Sequence, residues 1–241
     1  PVVIGSKAFT ESVILGEIAA QLIRDEGGAA FHRRALGGTR VLWDVLRARR
    51  IDVYPEYTGT LRQEILAGAD VADDAALRRA LARRRLRMSA PLGFDDTYAL
   101  GMKASEAQRL GIRTISDLKR YPALVFGFSN EFMDRADGWP GLRAAYGLPQ
   151  RRVQGLQHDL AYRGLAAGSL DVTDVYTTDA EIAYDHLRVL QDDRRYFPRY
   201  QAVLVYRDGL AQRAPRAAAA LASLSGRIGR DEMSRMNAAV K

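Results

Sequence analysis

Ile51-Asp52-Val53-Tyr54-Pro55-Glu56-Tyr57-Thr58-Gly59-Thr60 and Leu170-Asp171-Val172-Thr173-Asp174-Val175-Tyr176-Thr177-Thr178-Asp179 are two versions of one pattern. Each opens with an aliphatic-Asp-Val triplet that follows a helical stretch, and each runs into a Tyr-Thr pair. The offset of 119 positions lays Tyr57 on Tyr176, Thr58 on Thr177, Thr60 on Asp179 and, one helix earlier, Trp43 on Tyr162. Unrelated segments rarely keep register this long. The spacing therefore predicts an α/β protein of two lobes, each presenting the carboxyl end of an equivalent strand toward a shared space, which is where open α/β sheets bind ligands.

Outward from these strands the grammar is β-α-β. Residues 2–5 read as a buried strand, and Thr10 as the cap of a helix with apolar positions Val13, Ile14, Ile18, Leu22 and Ile23 at helical period, closed by Gly27-Gly28. A strand over residues 30–35, the turn Gly37-Gly38-Thr39, a helix over 40–47 and a strand at 51–53 follow. In the second half, Ser116-Asp117 starts a short helix, residues 124–128 read as a strand, Asn130 caps a further turn, one helix ends at Gly147, another runs from His158 to Ala167 and is stopped by Gly168, and residues 170–175 read as a strand. A strand over 202–206 and two helices, the first opened by Pro215, complete the chain. Such repetition favours parallel pairing, each lobe being a mixed sheet flanked by helices. The expected division is residues 1–95 plus 205–241 in lobe 1 and 96–204 in lobe 2, with two hinge crossings that allow closure around a ligand.

Composition excludes several classes. The chain has 241 residues, 47% hydrophobic and 27% charged, as ordinary globular proteins do. Without cysteine there are no disulfides, zinc-thiolate sites or thiol nucleophiles. No apolar run approaches the roughly 20 residues that span a bilayer, and the sequence opens at Pro1 directly into a strand, so any leader or tether is expected to have been removed or to lie outside this stretch. The net charge of +7 comes with runs such as Arg78-Arg79 and Arg83-Arg84-Arg85, read as a solvated helix face; no aromatics interleave with them, so nucleic acid is not an expected partner. His32, His158 and His186 lack the spacing of a metal or base-nucleophile site. Ser129 lacks the second glycine of a nucleophile elbow, and Gly37-Gly38-Thr39 lacks the lysine of a phosphate loop. No enzyme, cofactor or metal is indicated, and a monomer is expected.

The tyrosines are more telling. Tyr57, Tyr98, Tyr176 and Tyr200 sit in loop-like positions beside strands. A trimethylammonium group has a diffuse charge and no proton to donate, so ring faces are its best partners, each contributing roughly 0.5 to 2 kcal/mol where water is excluded. Three or four rings would hold such a cation without a buried carboxylate.

Gly5-Ser6-Lys7-Ala8-Phe9-Thr10-Glu11, Ile14-Leu15-Gly16 and Glu56-Tyr57-Thr58-Gly59-Thr60 resemble the substrate-binding proteins of osmoprotectant ABC transporters, the glycine betaine, carnitine and choline family. Residues 93–100, 174–179 and 197–200 extend the likeness over nearly the whole chain. The resemblance implies a type II periplasmic-binding fold, an extracytoplasmic location, periplasmic or membrane-associated, and partnership with a membrane permease. It also implies an aromatic cage of Tyr57, Tyr98, Tyr176 and Tyr200 around a quaternary ammonium, with Lys7 and Thr60 on the first-lobe side serving the ligand's other end and Thr10 as a further ligand-binding residue. Ser12 stands where glutamine is common, and Arg199 and Gln201 replace proline and aspartate around Tyr200, which alters the rim. Glu56 is read as a surface residue pointing away. Another zwitterion or amino acid, or a ligand-sensing role of the same fold, stays open beside the betaine reading.

Overall fold

Val2, Val3 and Ile4 favour a pleated backbone through their branched side chains and form β1 (Val2–Gly5). In the computed structural model, which describes residues 1–241, the next element is α1 (Thr10–Asp25). Phe9 is its N-cap, without a side-chain bond, so Thr10 is the first helical residue and not the expected cap. The fully buried face of α1 includes Leu15, Gly16, Ala19, Ala20 and Ile23, while Val13, Ile14, Ile18 and Leu22 are half-buried. β2 (Ala30–Arg33), α2 (Thr39–Arg47) and β3 (Val53–Tyr57) follow. β3 begins later than the apolar triplet suggests, because the Asp52 carboxylate takes an amide that a ladder carbonyl would otherwise use: its Oδ2 accepts from Val3 N at 2.7 Å and its Oδ1 accepts from Arg207 and Arg213 at 2.7 and 2.6 Å. α3 (Thr58–Thr60) leads into a wide turn, then α4 (Asp74–Ala82), capped by Asp73 accepting from Ala76 N, and β4 (Leu86–Met88). The arginines of α4 and its C-terminal turn are exposed, as the charge pattern predicts.

The chain continues with β5 (Tyr98–Lys103), α5 (Ala104–Leu110), β6 (Phe126–Ser129), α6 (Asn130–Asp134), α7 (Trp139–Tyr146), β7 (Val153–Leu156), α8 (His158–Ala167), β8 (Thr173–Tyr176), α9 (Glu181–Tyr184) and β9 (Leu187–Val189). Ser129, not Asn130, caps α6 by accepting from Phe132 N at 3.2 Å. Gly147 and Gly168 end α7 and α8 in the left-handed conformation that glycine adopts without penalty. β10 (Ala202–Arg207), α10 (Leu210–Arg213), α11 (Pro215–Ala222) and α12 (Arg230–Ala239) finish the chain.

Contacts divide the molecule into one unit of Pro1–Asp96 with Arg199–Lys241 and a second of Thr97–Pro198. Tyr200 and β10 thus fall in the first unit, and the return comes at Pro198–Arg199, ahead of residue 205, because all of β10 pairs with β3 and β4. The first unit's sheet has the order β2-β1-β3-β10-β4, with β1 parallel to β2 and β3, and β10 antiparallel to its neighbours. The second unit repeats that plan. β7 and β6 are parallel, Phe126 bridges Val172 just before β8, and β5 lies antiparallel between β8 and β9.

The repeat extends to single hydrogen bonds. Asp171 Oδ2 accepts from Val125 N at 2.7 Å, and Asp171 N donates to Val125 O at 2.8 Å; Asp52 treats Val3 in the same way, with both bonds at 2.7 Å. Each unit has its own core. Leu42, Leu46, Ile51, Tyr54, Leu77 and Val203 fill the first. Tyr162, Leu165, Leu170 and Val175 fill the second, beside a ring cluster of Phe126, Phe128, Phe132 and Trp139 with centroids 4.9 to 5.6 Å apart.

Candidate functional site

In the first unit the candidate residues gather where β1 and β3 end. The turn after β1 is folded back by Lys7 N, which donates to Ser12 Oγ at 2.8 Å, so the serine at this position serves its own loop. Ser6 Oγ lies 2.9 Å from His32 Nε2, and His32 Nδ1 lies 2.9 Å from Glu17 Oε2, tying the turn to β2 and α1. Gly16 gives the imidazole its place, since a Cβ there would come within 2.5 Å of Nε2.

Glu56 overturns its reading as a surface residue. It is fully buried, its Oε1 meets Lys7 Nζ at 2.5 Å and Tyr57 N at 3.1 Å, and its Oε2 accepts from Tyr54 at 3.0 Å. Proline at position 55 does not interrupt this, because alternation along β3 turns Glu56 toward the β1 loop. Lys7 Nζ also donates to Thr39 Oγ1 at 2.9 Å, so the ammonium is neutralised locally and two of its three protons are used.

Tyr57 closes β3. Its hydroxyl donates to Glu11 Oε2, and Glu11 Oε1 accepts from Asn237 Nδ2 of α12 at 3.0 Å. Burial, and after it the Glu11 charge, pushes the phenol pKa well above its ordinary value, which keeps the hydroxyl a donor. The Phe9 ring stacks on Tyr57 with centroids 6.4 Å apart and remains 40% exposed.

Tyr200 is seated by the residues after Tyr57. Thr58 Oγ1 donates to Arg199 O at 3.0 Å and accepts from Gln201 N at 3.1 Å, holding the backbone on both sides of the ring. Gly59 lies under the ring; a Cβ there would sit 2.5 Å from Tyr200 Cδ1. The Tyr-Thr-Gly-Thr motif is therefore a mount for a second tyrosine. Thr60 is buried in α3, Thr10 is exposed, and Arg199 makes an exposed 3.4 Å pair with Asp95 that contributes little.

In the second unit Tyr98 and Tyr176 face each other across the β5–β8 ladder, with centroids 5.2 Å apart and planes at 48°. Phe132 and Phe197 border Tyr98 at 5.4 and 6.3 Å, and the Arg135 guanidinium lies 5.5 Å from its centroid. Behind Tyr176 stands His158, ring to ring at 4.9 Å, with Nε2 3.0 Å from Asp179 Oδ2. The same oxygen accepts from Tyr162 at 2.5 Å and Tyr176 N at 3.1 Å. Burial alone would lower the His158 pKa, but Asp179, Asp174 and Glu181 outweigh it and raise it. Asp174 is pushed up by burial, against His158 and the two hydrogen bonds it accepts from Ser129 at 2.6 and 2.7 Å.

The family model for the substrate-binding domain of ABC-type glycine betaine transport systems matches residues 1–241. The chain belongs to this family. It is 32% identical over 98% of its length to an ergothioneine transport permease/ergothioneine binding protein of Helicobacter pylori, of which it spans 44%. It is also 32% identical to a glycine-betaine-binding protein of Pseudomonas aeruginosa, covering 98% of this chain and 81% of that one. A carnitine transport binding protein of Listeria monocytogenes is 28% identical, with coverage of 97% and 79%. Among solved structures, a glycine betaine/carnitine/choline ABC transporter protein superposes with a TM-score of 0.87 at 28% identity, covering 98% of this chain and 91% of that one. A lactococcal protein in complex with glycine betaine, 11% identical with a TM-score of 0.70, shares the fold. The architecture is the type II periplasmic-binding fold, and the named relatives are transport binding proteins. No helix is long and apolar enough to cross a membrane.

For this family of transport domains, the sequence reading missed three residues beside the tyrosines. Phe9 and Glu11 lie inside the first quoted motif but carry no signal by residue type. His158 looked solitary because its partner Asp179 is 21 positions away.

Proposed function

We propose that this domain captures a quaternary ammonium solute for an ABC importer and hands it to the membrane permease, working on the extracytoplasmic face in the periplasm or attached to the membrane. Tyr57 and Tyr200 of the first unit and Tyr98 and Tyr176 of the second are the proposed ring contacts, with Phe9 added. The observation that carries the reading is the duplicated strand end: β3 and β8 terminate in Tyr57 and Tyr176 at the repeat offset, and each tyrosine has a second aromatic ring beside it. Glycine betaine, carnitine, choline and ergothioneine, named for relatives, share a trimethylammonium group and differ elsewhere, which fits a recognition set built on rings. Lys7 and Thr60 are the proposed partners of the ligand's other end. Because Glu56 offsets the Lys7 charge, Lys7 offers its remaining N–H rather than a net positive field.

Calorimetry with choline, glycine betaine and carnitine beside dimethylglycine and glycine tests the reading. Binding should fall by at least tenfold when a methyl group is lost, and Tyr176→Ala should weaken every methylated ligand by about tenfold, one cation-π contact being roughly 1.4 kcal/mol. Equal affinity for glycine and glycine betaine refutes it.

A further inference from the structure

We propose that Glu11 sets the preference of Tyr57 for a permanent cation, acting through the phenol as a positioning and polarising residue. The inference rests on the reading of Tyr57 as a ligand contact, and it assigns a role to a residue that need not touch the ligand at all. Glu11 lies in the first turn of α1, 3% exposed, and its two oxygens take Tyr57 OH and Asn237 Nδ2. Both donors are neutral, so the carboxylate charge is not cancelled by a paired cation. The nearby ammonium of Lys7, 5.8 Å from the Tyr57 centroid, is already spent on Glu56.

Two effects follow. A phenol that donates to a carboxylate carries more electron density in its ring, which deepens the negative face that attracts a cation. The carboxylate also adds its own field across a buried, weakly screened distance, where a unit charge counts for far more than in water. The N-terminus of α1 stabilises the anion without supplying a mobile countercharge. Asn237 fixes the oxygen that Tyr57 does not use, so α12 sets the rotamer of Glu11 and through it the tilt of the ring. The bulk charge of +7 does not oppose this, since distant exposed arginines are screened within about a Debye length.

The test compares choline with 3,3-dimethyl-1-butanol, its uncharged carbon isostere, in wild type, Glu11→Gln and Tyr57→Phe, by NMR titration, which reads millimolar affinities. Glu11→Gln should weaken choline roughly tenfold while leaving the alcohol within about twofold, so the cation preference falls and the shape preference stays. Tyr57→Phe, which keeps the charge and breaks the bond, should lose part of the preference, and it serves if the glutamine variant does not fold. Equal weakening of both ligands in both variants, or an unchanged ratio, overturns the proposal. Failure of wild type to bind choline or any betaine instead overturns the functional reading beneath it.

Discussion

Replacing Glu56 by glutamine removes one charge of the buried Lys7–Glu56 pair while keeping side-chain volume. Lys7 is 5% exposed and Glu56 fully buried, so water cannot take over the ammonium. The variant keeps one acceptor for three donors, namely Lys7 Nζ, Tyr54 OH and Tyr57 N, and turns an amide N–H₂ toward at least one of them. Breaking a buried pair from one side costs about 3 to 5 kcal/mol. The lower figure suits a substitution that retains a hydrogen-bonding oxygen, and for a chain of this size it corresponds to a loss of roughly 6 to 12 °C in Tm. Removing both charges, as Lys7→Met with Glu56→Leu, should recover part of that loss, because the desolvation cost disappears with the pair while Tyr54 OH and Tyr57 N lose their acceptor. Thermal unfolding by circular dichroism at pH 7 measures both. The single variant should also gain glycine betaine affinity relative to choline, since Lys7 would then face a ligand carboxylate with an uncompensated charge. A single variant within about 1 °C of wild type, or a double variant no more stable than the single, refutes the view that this pair holds the first loop.

Gly59→Ala should leave the fold intact but drive a Cβ to 2.5 Å from Tyr200 Cδ1. With Thr58 holding the flanking backbone, the ring must tilt, at about 1 to 3 kcal/mol, and calorimetry should show weaker ligand binding. Glu17 is held at about 2, chiefly by the His32 hydrogen bond and then Arg34, against burial. Its folded pKa is depressed, so it adds stability above its ordinary value of 4.5 that is lost as pH falls toward about 2. Glu17→Gln should flatten the pH dependence of the unfolding free energy, read by urea titration, over that acid window by on the order of 1 kcal/mol after screening. His158 has the opposite sign. Its raised folded pKa adds stability present below 6.5 and lost as pH rises through the folded value, so His158→Gln should remove a decline in urea midpoint on the alkaline side.

What the sequence could show follows from what is local. The repeat at offset 119 is legible because each copy is a strand with its own turn, and Asp52 and Asp171 recur since each satisfies an amide at the start of a parallel partner strand. The left-handed glycines at 147 and 168 are legible for the same reason. Glu56 was misread because a charged residue on a strand defaults to the exposed face, and only the fold reveals that Lys7, 49 positions earlier, waits on the other side. Asn237 is further still, 226 positions from Glu11, and no motif links them. The rings proposed to touch a ligand and the charges beside them lie in local motifs, whereas the pairings that aim those charges come from long-range packing. If ring preference depends on such packing, relatives that keep the tyrosines and Glu11 but alter Asn237, which lies outside every quoted motif, should differ in ligand choice without any change in the motifs that identify them.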